Sequence, residues 1–210
     1  MKKRWVFVSA LALTLVLAAC GSSESSDVEG MEDANETAAV EQESEATGLH
    51  EFEYMNQDNE VVTNEDLKGK YSLVNMVFTR CPTVCNLMTP NMTNLQNELD
   101  EKGLDVNLVS FTVDPEHDTP EKLKAYGEQY DADFSNWDFL TGYDREEVES
   151  FAASSFNSVV QSHPENDDII HSTQTYLLDI NGQVVEQFDG LEVDKEPIID
   201  AIETLVEMEK

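Results

Sequence analysis

From Leu49 onward the chain alternates short apolar runs with longer stretches in which apolar residues recur every three or four positions. Phe52 to Met55 and Val61 to Thr63 flank the polar stretch Asn56 to Asn59, which predicts a small hairpin. Leu73 to Phe78 is a near-continuous apolar run, the pattern of a strand buried on both faces. Between Asn86 and Leu99, the residues Leu87, Met88, Met92, Leu95 and Leu99 fall mostly at helical spacing, and Gly103 ends the pattern. Val106 to Val113 predicts a second buried strand. Thr119-Pro120 then opens a helix through about Tyr130, with Thr as side-chain cap and Pro in the first turn. Trp137 to Leu140 is a short strand. A helix over Asp144 to Phe156 carries Val148, Phe151 and Ala152 on one face. Gln174 to Ile180 and Gln183 to Phe188 flank Asn181-Gly182, a strong signal for a hairpin, and a last helix runs from about Asp194 to Met208. This order of elements predicts an α/β fold: a three-layer sandwich with a mixed central sheet and an N-terminal hairpin.

The first 47 residues break the pattern. Lys2, Lys3 and Arg4 precede an apolar run from Trp5 to Leu17, closed by Leu17-Ala18-Ala19-Cys20. The arrangement is that of an export signal. The run is short of the roughly 20 residues that span a bilayer, and a Cys after Leu-Ala-Ala resembles a bacterial lipobox. The expectation is a signal peptide over 1–19, cleaved before Cys20, with lipid on the Cys20 sulfur. An uncleaved anchor or an ordinary secretory signal is the plainer alternative. Either way the domain works on the extracytoplasmic side of the membrane. Gly21 to Thr47 holds nine acidic residues, no Lys or Arg and no aromatic residue. It cannot bury a core, and its like charges extend it, so residues 20–47 read as a disordered acidic tether. Residues 48–210 are left as one domain, with no internal repeat and enough length for a sizeable core.

With 44 acidic residues against 12 Lys and Arg, the chain carries a formal net charge of −32. That balance excludes a nucleic-acid binder, which needs a basic footprint to neutralise phosphates. It suits a soluble surface in the external medium.

Apart from Cys20, two cysteines remain, in Thr79-Arg80-Cys81-Pro82-Thr83-Val84-Cys85. The pair falls at the junction of the first core strand and the first long helix. Residues four apart on a helical turn have Cβ atoms about 5–6 Å apart, so the two sulfurs can share a metal ion or form a disulfide. A helix N-terminus favours thiolate over thiol, the form that binds metals and attacks disulfides. Two inert core cysteines, or a static disulfide in an oxidising compartment, fit the same spacing. His171 follows the polar insertion His163 to Asp168 and precedes the strand from Gln174, which brings an imidazole towards the cysteines. Two thiolates and an imidazole suit Cu(I), Cu(II) or zinc. His117 and His163 are the competing histidines. Asp114, at the end of the second core strand, is placed either to orient a ligand from behind or to form a turn before Pro115. The helical spacing of Met88 and Met92 marks them as core residues rather than metal ligands.

Three ordered motifs, Cys81-Pro-Thr-Val-Cys85, Val113-Asp-Pro-Glu-His-Asp-Thr-Pro120, and His171-Ser172 before Tyr176-Leu-Leu-Asp179, together resemble the Sco/SenC family of copper proteins, from about Leu73 to the final helix. Arg80, Asn86 and His117 depart from the residues common in that family. None of them is one of the three ligands that the resemblance implies. It implies a thioredoxin-like fold that binds Cu(I) or Cu(II) through Cys81, Cys85 and His171. The implied function is assembly of the binuclear copper centre of cytochrome c oxidase, with a copper-accepting oxidase subunit as partner and a monomeric, lipid-anchored carrier that is not primarily an enzyme. The rival function is a thiol-disulfide oxidoreductase that reduces the cysteines of that copper site, with Cys81 and Cys85 as the redox pair. A zinc-binding or redox-sensing lipoprotein is a third class.

Overall fold

The computed structural model describes residues 48–166 and 168–208. The expected signal peptide (1–19), the tether (20–47) and Cys20 lie outside the described residues. The elements are β1 (Glu53–Met55), β2 (Val61–Thr63), β3 (Tyr71–Val77), α1 (Cys85–Lys102), β4 (Val106–Thr112), α2 (Pro120–Gln129), β5 (Trp137–Leu140), α3 (Arg145–Phe156), β6 (Gln161–Ser162), β7 (Ile169–Ile170), β8 (Gln174–Leu178), β9 (Val184–Asp189) and α4 (Glu196–Met208). The central sheet has the order β5-β4-β3-β8-β9. Pairing is parallel from β3 through β4 to β5, and antiparallel from β3 through β8 to β9. The sheet is therefore mixed, as the pattern predicted.

Alternation along β3 builds the core. Val74, Met76 and Phe78 point into one cluster with Phe111, Phe151 and Phe156, while Tyr71, Leu73 and Val77 point into another with Leu95, Leu99, Trp137 and Ile199. All seven residues of β3 are buried, because helices cover both faces of the sheet. The hairpin β1–β2 closes one edge, where the backbone groups of Met55 and Thr141 exchange hydrogen bonds of 2.9 and 2.8 Å.

Local chemistry sets the helix ends. Gly103 adopts φ 68° and stops α1, a left-handed conformation that costs glycine little. Thr119 caps α2 through Lys122 N–H, and Asp144 caps α3 by accepting from Glu147 N–H at 2.9 Å. Replacing Asp144 with Ala is expected to lower stability by about 1 kcal/mol. The midpoint of chemical denaturation reads this, and an unmoved midpoint would show that α3 is held by its packing alone.

Two features differ from the expectation. Asn181-Gly182 does not form a two-residue turn. Asp179 N–H bonds to Gln183 O at 2.9 Å, and between these two residues positive φ occurs at Gly182 only. The loop is therefore Ile180-Asn181-Gly182, and the Asp179 carboxylate accepts from the N–H groups of both Asn181 and Gln183. A three-residue loop closed by a left-handed Gly replaces the two-residue turn, and Asp179 satisfies the loop amides itself. The polar insertion is also not irregular throughout. Gln161 pairs with Ile170 and Ser162 with Ile169, which makes a small hairpin that leads directly into His171.

Candidate metal centre

The junction between β3 and α1 shapes the cysteine pair. Val84 is the N-cap of α1, and its side chain makes no capping bond. In its place the Cys81 sulfur accepts from Cys85 N–H at 3.4 Å. Such an amide is one of the donors every helix start leaves without a partner inside the helix. Cys85, the first residue of α1, is 1% exposed, whereas Cys81 sits in the loop and is partly exposed. Both thiols are free.

His171 arrives from the segment before β8, the strand that pairs with β3. The β6–β7 hairpin places it immediately after Ile170, and its ring meets Phe78 edge-on with centroids 5.7 Å apart. His171 Nδ1 lies 2.8 Å from Ser172 O, and Nε2 lies 3.9 Å from Cys85 Sγ. With the Nδ1 proton donated to that carbonyl, Nε2 is the nitrogen left for a metal. Ser172 is itself held, since its hydroxyl oxygen accepts from Tyr176 Oη at 2.9 Å and from Gln174 N at 3.1 Å. The ligand atoms of Cys81, Cys85 and His171 all lie within 4.8 Å of one another. Two sulfurs and one imidazole nitrogen at that separation fit a copper or zinc ion, and three donors leave a position open to an incoming ligand.

The two sulfurs differ in charge, which the helix-start argument did not foresee. A hydrogen bond from the Cys85 thiol, helped by His171 and by the backbone amides of Cys85 and Thr83, pulls the Cys81 thiol down to about 3. The same hydrogen bond, together with burial and the adjacent thiolate charge, pushes Cys85 far above the ordinary thiol range. The copper-free pair is thus one thiolate and one thiol sharing a proton.

The sign of the pH dependence follows. The folded Cys81 titrates at about 3 and an ordinary thiol at 9.0. Its contribution to stability is therefore complete above the ordinary value, and is lost as pH falls towards 3. In the reduced, metal-free protein, alkylation of Cys81 is expected to be nearly flat between pH 5 and 8. The unfolded chain should instead gain about tenfold per pH unit. Peptide mapping of alkylation against pH checks this, and a rate at Cys81 that climbs as in the unfolded chain would contradict it.

The remaining candidates separate cleanly. Asp114 is 1% exposed and holds no place among the ligand atoms. It pairs with Arg80 Nε at 2.5 Å and with Arg145 Nη2 at 3.5 Å. Its carboxylate thus holds the side chain of the residue before Cys81, and its carbonyl accepts from the N–H groups of His117 and Asp118 at 2.9 and 2.8 Å, which makes the turn around Pro115. His117 packs against Lys122, and His163 Nδ1 accepts from Glu165 N at 3.2 Å. Neither belongs to the cluster. Met88 and Met92 are buried core residues. Asp118, quoted above only as part of a motif, is a completely buried carboxylate behind the cysteine loop, and no periodicity marks it.

Comparisons with known proteins agree with this geometry. The SCO1/SenC family description matches residues 40–207. A SCO1/SenC family lipoprotein from Bacillus anthracis superposes with a TM-score of 0.74 at 41% identity, over 79% of this chain and 98% of that one. BsSco, described as a member of the Sco family of cytochrome c oxidase assembly proteins with a disulfide switch, gives 0.70 at 38% identity, over 76% and 94%. ScoI of Arabidopsis thaliana with copper bound gives 0.67 at 26% identity, over 78% and 99%. Since the match spans the whole described domain and includes the segments that bear both cysteines and the histidine, this chain belongs to the SCO1/SenC family.

Proposed function

We propose that this protein is a copper carrier that takes the ion through Cys81, Cys85 and His171 and delivers it during assembly of the binuclear copper centre of cytochrome c oxidase. The observation that carries the reading is the convergence of these three donors within 4.8 Å at one end of the sheet. The copper-bound relative and the oxidase-assembly relative share this fold. Copper is cargo here. Thiolates hold Cu(I) and the imidazole suits Cu(II), so one donor set serves both oxidation states. Release follows by ligand exchange. Cys81, partly exposed on its loop, is the sulfur an incoming thiolate reaches first, while Cys85 keeps hold from its buried position at the start of α1.

The same proposal includes anchoring. Cleavage before Cys20 and lipidation of its sulfur would fix the chain to the outer face of the cell membrane. The acidic tether would let a monomeric domain reach a copper-accepting oxidase subunit in the same membrane. The anthracis relative is described as a lipoprotein, in keeping with this. Radiolabelled palmitate incorporated by the wild type and absent from Cys20→Ala would support the anchor, and equal labelling would remove it.

The redox reading rests on one specific feature, the thiolate-thiol pair of Cys81 and Cys85, which is the reactive form of a dithiol. Addition of Cu(II) to the reduced protein separates the two functions. Near one copper per chain, with sulfur-to-copper charge-transfer bands that change in His171→Ala, supports the carrier. A readily cycled disulfide with no stable copper binding makes the thiol reductase the function.

A further inference from the structure

We infer that Asp118 is a positioning residue for the metal centre, a buried carboxylate that fixes the start of the cysteine loop and thereby the place of the Cys81 sulfur. The inference rests on the copper reading of Cys81, Cys85 and His171.

The loop from Phe78 to Val84 must present a sulfur at one location while leaving it reachable. Its own bonds are few: Cys81 N–H donates to Phe78 O at 3.2 Å, near the weak end of the range. The stronger restraint comes from outside. Asp118 Oδ2 accepts from Thr79 N–H at 3.1 Å and from Thr112 Oγ1 at 2.5 Å, and Oδ1 accepts from Thr79 Oγ1 at 2.5 Å. Two of these three donors belong to Thr79, two residues before Cys81. Asp118 is 0% exposed, and no Lys or Arg lies within ion-pair distance of it among the described residues. A buried carboxylate without a cation persists only if hydrogen-bond donors satisfy it, so its grip on Thr79 cannot be loosened without leaving the charge stranded.

The carboxylate is itself immobile. Asp118 N–H donates to Asp114 O at 2.8 Å, its carbonyl accepts from Thr141 Oγ1 at 2.8 Å, and Thr112 ends β4. The cysteine loop is thus pinned to the ends of β4 and β5, both buried. Asp114 acts differently, because its carboxylate pairs with the side chains of Arg80, which is half exposed, and of Arg145. Asp118 holds a backbone amide, and a fixed backbone is what fixes Cys81 beside the Cys85 amide.

The experiment compares the full reduced chain with Asp118→Asn, Thr79→Val and Thr79→Ser, at a temperature where circular dichroism shows each to be folded. Asn exchanges one acceptor oxygen for a donor. Val deletes the hydroxyl at constant shape, and Ser keeps it. Copper(II) affinity, read by chelator competition, is expected to fall about 10–100-fold in Asp118→Asn and Thr79→Val, the range for lost partners of metal ligands. Their charge-transfer bands should shift, while Thr79→Ser stays with the wild type. Variants that melt earlier yet bind copper with unchanged affinity and spectrum overturn the inference. A wild type that binds no copper defeats the copper reading instead. In that case amide hydrogen exchange still tests the clamp: faster exchange at Cys81 with unchanged exchange along β3 and β4 shows it, and unchanged exchange at Cys81 overturns it. Should Asp118→Asn not fold, Thr79→Val decides by the same criteria.

Discussion

Replacement of Cys85 by Ser is expected to abolish stable copper binding while leaving the fold and the Cys81 thiolate in place. The Ser hydroxyl is a hard, uncharged donor that fills nearly the same volume, so the packing of α1 against Phe78 and Met76 is kept. What disappears is one of only two soft ligands, and Cys81 and His171 alone cannot enclose the ion. The loss should exceed the roughly 10–100-fold that follows removal of an outer partner. The hydroxyl still donates a hydrogen bond to the Cys81 sulfur, which is the largest cause of its low pKa. Alkylation of Cys81 near neutral pH should therefore remain fast as copper binding vanishes. The reverse substitution, Cys81→Ser, removes the thiolate and leaves Cys85 buried at 1% exposure, so both copper binding and alkylation should fall away. Metal analysis after gel filtration, with alkylation followed by mass spectrometry, reads both quantities. Retention of one tightly bound copper by Cys85→Ser would remove Cys85 from the ligand set.

The largest loss of stability is expected at Trp137, on the face of the sheet that packs α1, α2 and α4. Trp137 is 0% exposed and stacks on Phe139 with centroids 4.9 Å apart. Its Nε1–H donates to Ser110 Oγ at 2.9 Å, and Ser110 Oγ donates to Asn75 Oδ1 at 2.6 Å, so a polar chain runs from the indole across β4 to β3. Trp137→Ala removes the largest fully buried side chain and the donor at the head of that chain. Its cost is about 3–5 kcal/mol, which at roughly 2–4 °C per kcal/mol for a chain of this size lowers Tm by about 6–20 °C. Trp137→Phe keeps most of the volume and loses only the donor, and should fall well short of that. Thermal unfolding of the reduced, metal-free protein measures both. A Tm within about 2 °C of the wild type in Trp137→Ala would show that the site refills by collapse.

The two expectations concern different regions of one domain. The copper donors gather where β3 ends and α1 begins, with the β7–β8 connection beside them, whereas Trp137 begins β5. Loss of Trp137 should consequently lower Tm with little change in copper affinity measured well below Tm. Loss of Cys85 should do the opposite.

Most of the fold was legible because its elements are long and strongly patterned. The fully buried run in β3, the helical spacing from Met88 to Leu99 and the cap Thr119 each depend on residues close together in the chain, where side-chain period and local hydrogen bonding act. The three converging residues were legible as well, Cys81 and Cys85 from their spacing and His171 from the motif before β8. Three things were decided only by the folded chain. The β6–β7 hairpin has two residues in each strand, too few for any period, and exists because Gln161 and Ser162 meet Ile170 and Ile169. The unequal protonation of the two sulfurs needs their distance to each other, to the Cys85 amide and to His171, none of which spacing supplies. The grip of Asp118 on Thr79 joins residues 39 positions apart. Hydrophobic periodicity reports which face of an element is buried. It is silent on which polar groups are buried together, because those contacts are chosen by packing between elements rather than by neighbours along the chain.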